Sequence, residues 1–403
     1  PVPAATADGG RTWGTRSGER LLEPRSVGVM GAPRAPSRLG HRILRNLLEH
    51  HFAGPVYPVN RNASHVASVR AWPDVTDVPD TIDLAIVALK CLVIVAVLLT
   101  GFAYTTFLER KVIARMQQRH GPNRAGPFGL LQPAADGVKL IFKENITPVG
   151  VDRFVYFLAP IVSMVVAIMA FAVMPVADPI TVTIGGQARE IRFQLADFNV
   201  ALLYVLGVTS LAVYGLVLAG WASNNKFALI GGLRSSAQMV SYELAMGLAL
   251  VSVVLVVGSL SMRDIVGWQA ERGLPLVLLQ PLAFVIYGIT AIAETNRAPF
   301  DFPEAEQELV AGYHTEYTGM RFALFFMAEY INMVTVSGMA ATLFLGGYHL
   351  PFVERFTGDL PWFVDIAVFV GKVVAALFVL IWVRATIPRL RYDRLMAFGW
   401  KVL

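Results

Sequence analysis

Seven stretches of this chain are long and apolar enough to cross a lipid bilayer, and they decide what it can fold into. They lie near residues 84–108, 154–175, 198–220, 236–258, 275–294, 322–346 and 363–383. About 20 apolar residues in a helix cross the roughly 30 Å hydrocarbon layer, and only a helix or a closed barrel satisfies its own backbone there. Between Leu84 and Leu108 the only charge is Lys90. Charged residues make up 16% of the 403 residues, against about 25% in soluble domains. The fold class expected is therefore an all-α polytopic membrane protein of about seven transmembrane helices. The segment from Leu395 to Leu403 is expected to begin an eighth helix that is cut off. Leu131, Ala134, Val138, Ile141 and Phe142 recur at helical spacing, with Asp136, Lys139, Lys143 and Glu144 elsewhere. That pattern predicts an amphipathic helix lying at the membrane interface.

Residues 1–83 read differently. Residues 1–25, rich in Gly, Pro, Arg and Thr, are expected to be disordered. Residues 26–89 read as a partial α/β, Rossmann-like fragment. Val27–Met30 and Pro55–Asn60 are strand candidates, Ile82–Leu89 a third, and His41–His50 has helical spacing. A glycine turn after the first strand is the shape that cradles phosphate on a helix N-terminus.

The loops give an orientation. Arg110, Lys111, Arg115, Arg119, Arg124, Lys139, Lys143 and Arg153 follow the first span; Arg384, Arg389, Arg391, Arg394 and Lys401 follow the seventh. The positive-inside rule puts both groups, and loops 109–153 and 294–321, on the cytoplasmic side. Loops 176–197, 259–274 and 347–362 then face outward, and loop 221–235 inward.

Acidic residues crowd the region 290–330: Glu294, Asp301, Glu304, Glu306, Glu308, Glu316 and, inside the next apolar run, Glu329. Glu243 lies early in the fourth span, and Lys372 lies mid-way along the seventh with Asp365 two turns before it. Each such charge costs about 2.5–3.5 kcal/mol at the centre of an isolated span. Glu243, Glu294 and Glu329 are therefore expected to face one polar interior and to serve a proton path. Lys372 and Asp365 either join them or form a static ion pair. Glu304 and Glu308 are spaced to share a helical face one turn after Asp301. Such like charges repel unless protonated or met by cations, for which Arg297 and His314 are candidates. The single cysteine, Cys91, excludes an iron–sulfur cluster held by this chain alone. No metal site and no nucleic-acid partner are expected.

Several motifs run in order through residues 90–403. They include Glu109-Arg110-Lys111, Gly121-Pro122-Asn123-Arg124, Leu131-Gln132-Pro133-Ala134-Ala135-Asp136-Gly137 and Ser223-Asn224-Asn225-Lys226. Then come Gly231-Gly232-Leu233-Arg234, Ser241-Tyr242-Glu243, Ala293-Glu294-Thr295-Asn296-Arg297, Pro299-Phe300-Asp301, Arg384-Ala385-Thr386 and Arg391-Tyr392-Asp393. Together these resemble the H-type membrane subunit of NADH:quinone oxidoreductase, respiratory complex I. Asn145 departs from that pattern, standing where an acid is frequent. The resemblance implies a subunit that walls a quinone chamber in the cell membrane and couples quinone reduction to proton movement. Quinone would be the substrate, and flavin and clusters would sit on partner subunits of the peripheral arm. It implies chamber residues Glu109, Arg110, Arg119, Arg124, Asp136, Arg297 and Phe300. Arg110 would polarise a quinone carbonyl, hold lipid phosphate, or serve as a snorkelling interfacial anchor. It implies a proton path through Glu243, Glu294, Asp301, Glu304, Glu306, Glu308, Glu316 and Glu329.

In the N-terminal part, Pro24-Arg25-Ser26-Val27, Gly31-Ala32, Leu39-Gly40, Gly54–Asn60 and Ile82–Ala85 resemble the CoA-binding domain of NDP-forming acyl-CoA synthetases. Gly31, Ala32, Gly40 and Asn60 would contact CoA, and Pro33 stands where that family has a serine. Span parity puts this module on the side away from CoA, so residues 1 to about 89 are expected to be a foreign fragment joined to the membrane protein. Two rival functions stand beside the main one: a membrane-anchored CoA-dependent enzyme, and a self-contained proton or cation transporter, whose inverted repeat is not evident.

Overall fold

The computed structural model describes residues 27–30, 56–59, 65–66, 69–70, 81–184, 187–303, 306–350 and 361–402. The chain divides into two compact units, Pro1–Lys90 and Cys91–Leu403. In the first, β1 (Val27–Met30) pairs in parallel with β2 (Val56–Val59), in the register Val27 opposite Val56. A short antiparallel pair, β3 (His65–Val66) and β4 (Val69–Arg70), follows. The parallel pair fits the expected βαβ pattern. Residues 1–25, the helix at 41–50 and Gly31, Ala32, Gly40 and Asn60 lie outside the described residues.

The expected third strand, Ile82–Leu89, is instead the start of α1 (Thr81–Met116), a helix of 36 residues. The apolar run continues past residue 89, interrupted only by Lys90, and a helix closes every backbone hydrogen bond within the segment. At 1.5 Å per residue α1 is about 54 Å long, well beyond the hydrocarbon layer.

The second unit is a helical membrane assembly. The interfacial helix is α2 (Gln132–Phe142), with proline in its first turn and none of its residues buried. Then come α3 (Arg153–Ala170), α4 (Ala201–Ala222), α5 (Lys226–Val257), α6 (Met262–Arg272), α7 (Leu276–Leu279) and α8 (Pro281–Glu294). The short α9 (Glu306–Leu309), α10 (Gly319–Phe344), α11 (Trp362–Thr386) and α12 (Tyr392–Lys401) complete it. Among the described residues six helices are long and apolar enough to cross a membrane: α1, α3, α4, α5, α10 and α11. The remaining expected span, 275–294, is broken into α7 and α8. At the break Gln280 donates to the Ser252 carbonyl (2.8 Å) and accepts from the Ser252 hydroxyl (3.2 Å).

Other departures have local causes. The expected loop 221–235 shrinks to three residues, because Asn225 caps α5 by accepting from the Phe227 N–H at 2.9 Å. Gly231 and Gly232, which fall within that expected loop, lie inside α5. A Cβ at Gly231 would sit 2.7 Å from the Tyr313 backbone nitrogen, so glycine admits the 312–313 backbone against the helix. Loop 259–274 contains α6, capped by Ser261. Loop 176–197 carries a hairpin, β5 (Ile180–Ile184) and β6 (Gln187–Ile191).

Replacing Gly231 by Ala is expected to lower the thermal midpoint, because overpacking against backbone costs about 1–3 kcal/mol. Gly137→Ala, on open α2 with nothing within 4 Å of its Cβ, serves as the neutral or stabilising control in the same melt.

Candidate functional site

The site begins where α1 leaves the apolar run. Glu109 is 4% exposed, so it is an interior acid and not the membrane-edge charge that its neighbours suggest. The segment after α8 turns back toward it, with Asn296 in the left-handed region at φ 52°. Gln238 of α5 holds that segment, donating to the carbonyls of Ala293 (2.8 Å) and Phe300 (2.9 Å). Phe300, expected in the chamber wall, is buried against Tyr242 with ring centroids 5.6 Å apart.

Arg297 is thereby carried into the interior. Its guanidinium donates to both oxygens of Glu109, at 3.3 and 3.4 Å. Its Nε pairs with Glu329 on α10. Its plane lies over the Tyr330 ring, 4.2 Å from the centroid. The Tyr330 hydroxyl donates to Glu109 at 2.6 Å, and Arg384, near the end of α11, pairs with Glu109. Two carboxylates thus meet two guanidinium groups. Burial works against the charge on Arg297, yet Glu329, Tyr330 and Glu109 outweigh it and hold the group above its ordinary pKa. In the sequence Arg297 reads as a cation for the acidic loop; in the fold it serves Glu109 and Glu329. Arg384, which the sequence marks only through the Arg384-Ala385-Thr386 motif, and Tyr330, which no motif marks, join the site. Charge balance is the signal that points to Arg384 here, since two buried carboxylates and one arginine leave a charge over.

On the far side of Glu329 lies a cavity with about 590 Å³ of open space. Its polar wall is Glu294, Thr295, Asn296, Glu329 and Asn332; Val166, Ala170, Leu216, Met239 and Phe325 are among its apolar wall. Asn332 and Glu294 share this wall, and the charge of Glu243 acts on Glu294. Two of the expected proton-path acids, Glu294 and Glu329, therefore line one cavity.

The remaining acids are arranged otherwise. Glu308 accepts from Arg234 at 2.6 Å and lies 3.9 Å from Arg389. The Arg234 hydrogen bond holds its carboxyl below the ordinary glutamate range. Glu316 accepts from Asn225 at 2.8 Å, and its backbone carbonyl accepts from the Tyr156 hydroxyl at 2.7 Å. Asp301 is half-buried, Glu306 opens α9, and Glu304 lies outside the described residues. Arg110 pairs with Asp136 of α2 at 2.7 Å, and Gln132 donates to the same carboxylate at 3.2 Å. Arg119 bonds Gln117, and Arg124 is exposed. Lys372 donates to the carbonyls of Leu345 (2.7 Å) and Gly347 (2.8 Å), and also to that of His349, which ties α11 to the end of α10. No group of three or more metal-ligating side chains occurs among the described residues.

Comparison with known proteins follows the same division. The NADH dehydrogenase family model matches residues 89–403, and a CoA binding domain model matches residues 25–100. The H subunit of NADH-quinone oxidoreductase from Protochlamydia amoebophila is 56% identical over 307 residues, which covers 75% of this chain and 89% of that protein. The corresponding H 1 protein of Geobacter metallireducens is 51% identical over 325 residues, covering 81% and 94%. That of Thermomicrobium roseum is 52% identical over 320 residues, covering 77% and 89%.

Arg297→Met is expected to cost about 3–5 kcal/mol, because it leaves buried carboxylates unpaired. Combining it with Glu329→Gln should recover part of that loss, read from thermal unfolding of the assembled protein. The Arg234–Glu308 contact carries its own pH window. A depressed folded pKa contributes stability above the unfolded value of about 4.3, lost as pH falls through the folded value. Hydrogen exchange at residues 306–310 should stay protected at about pH 5 and rise only in stronger acid.

Proposed function

The chain belongs to the NADH dehydrogenase family, and from that premise we propose that it is a quinone-chamber and proton-coupling membrane subunit of a proton-translocating NADH:quinone oxidoreductase. Quinone is the substrate of the assembly. Flavin and iron–sulfur clusters belong to partner subunits, since this chain has one cysteine and about four thiolates are the usual cluster ligands. Other membrane and peripheral-arm subunits, and lipid, are its partners. Loops 109–153 and 294–321 face the cytoplasm, with the membrane-embedded acids beyond them.

One observation carries this reading: Glu329 belongs to two environments at once. Through Arg297 it joins the Glu109–Arg384 network, and its other side lines the cavity shared with Glu294. Quinone reduction takes up two electrons and two protons, and negative charge develops transiently at the headgroup. Charge arriving beside Arg297 alters how the guanidinium divides between Glu109 and Glu329. When it favours Glu109, Glu329 loses its counter-ion. A buried carboxylate without a cation takes up a proton. The energy of the redox step is thereby expressed as a proton on Glu329, next to Glu294 and Glu243. Arg110 and Asp136 stand at the exposed mouth formed with α2. A neutral quinone reaches them across Leu131, Val138, Ile141 and Phe142, all exposed.

The match of residues 25–100 to a CoA binding domain favours a second reading, a membrane-anchored CoA-binding protein. We assign those residues instead to a foreign segment with no part in the quinone chemistry. Equilibrium binding of CoA to the full chain would reverse that assignment.

Glu329→Gln in the assembled complex is expected to lower coupled quinone reduction and proton yield on the order of tenfold. NADH oxidation by a soluble artificial acceptor, which needs only the peripheral arm, should be unchanged. Wild-type quinone turnover and proton yield in that variant would refute the reading.

A further inference from the structure

The cavity between Glu329 and Glu294 has a polar wall richer than two acids require. Two amides, Asn296 and Asn332, line it as well. Asn332 stands three residues after Glu329 on α10, which places both on one helical face, and it lines the cavity together with Glu294. Asn296 follows α8 in the left-handed conformation. Its side-chain oxygen is buried and has no hydrogen-bond partner among the described residues.

The hydroxyls in the wall are already engaged. Ser163 donates to the Ala159 carbonyl (3.3 Å), Thr209 to Leu206 (3.1 Å) and Thr295 to Ile292 (3.0 Å). An ionised carboxylate only accepts. The amides therefore bring what the acids lack, a donor and an acceptor that do not titrate. A buried acceptor without a protein partner costs about 1–3 kcal/mol, and a polar cavity of this kind relieves it with water.

We propose that Asn296 and Asn332 are positioning residues that hold the water through which a proton passes between Glu329 and Glu294. This rests on the proton-coupling reading above and names the groups that make the step possible. Asn332 aligns the Glu294 carboxylate. Asn296 accepts from a water, and that water donates its second proton toward an acid. The proton leaving Glu329 enters the water, and the water passes another to Glu294, so no charge rests on the amides. The titratable groups facing this point are Glu294, Glu329 and Tyr313 in the wall, Glu243 and Tyr287 close to Glu294, and Arg297 on Glu329.

The test uses the assembled complex in proteoliposomes, with quinone turnover and proton yield measured from about pH 5.5 to about pH 8.5, either side of the usual operating pH. Asn332→Leu, which keeps the bulk and removes both polar groups, should slow coupled turnover on the order of tenfold at every pH. Asn332→Asp should recover at the acid end, where the protonated carboxyl donates as the amide does, and fail at the alkaline end. A purely structural role would show no such acid rescue. Asn296→Gly, tolerated at positive φ, should slow turnover without loss of assembly on a native gel, and it decides the matter if Asn332→Leu fails to assemble. Glu329→Gln is run beside them. If Glu329→Gln impairs coupling while Asn332→Leu or Asn296→Gly is wild-type, this inference falls and the proton-coupling reading stands. If Asn332→Asp is equally impaired at all pH values, it falls as well. If Glu329→Gln itself is wild-type, the reading beneath it falls.

Discussion

A guanidinium held between two buried carboxylates is the constraint on which the rest of this structure depends. In a medium of low dielectric, the charges of Arg297, Glu109 and Glu329 are tolerable only together. Their partners come from the end of α1, the segment after α8, α10 and the end of α11. Arg384 and Glu109 are 275 positions apart in the chain, so closing this network brings the first and last long helices to one place. Tyr330 adds a hydroxyl to Glu109 and a ring face to Arg297, satisfying the remaining lone pair and the apolar side of the cation.

The segment between α8 and α10 is anchored at both ends and differently at each. Its first half is held by Gln238 and by the Arg297 network. Its second half is held by Glu316, by Tyr156 and Tyr317, whose rings stack at 4.2 Å, and by the glycine seat at Gly231. Between them Glu308 rests on Arg234 and Arg389 at the surface. The acids of this stretch are consequently of two kinds. Glu308 and Glu316 tie this stretch to neighbouring helices, and Glu294 and Glu329 border the cavity.

Much of this is legible in the amino-acid order. Long apolar runs announce spans because a bilayer leaves the backbone no alternative, and α2 announces itself through its one-sided pattern. The cost of burying Glu243, Glu294 and Glu329 points to a shared interior, and Glu294 and Glu329 line one cavity. The cost of a charge does not name its partner, however. Arg297 reads equally well as a companion to Asp301 or to Glu109, and Arg384 reads as a cytoplasmic anchor. Glycine is ambiguous in the same way. Gly231 and Gly232 fall within an expected loop, whereas their actual use is close approach of backbone within a helix. The break at Gln280 is hidden because proline at 281 starts a helix as readily as it interrupts one.

That break also shapes the surroundings. The helix after it has 14 residues, a rise of about 21 Å, against a hydrocarbon layer of about 30 Å. Its flank carries Leu282 and Val285, both exposed, while α1 is far longer than the layer is thick. The apolar belt of the molecule is therefore uneven in height. Hydrophobic mismatch is therefore expected to thin the lipid beside α8 more than the lipid beside α1.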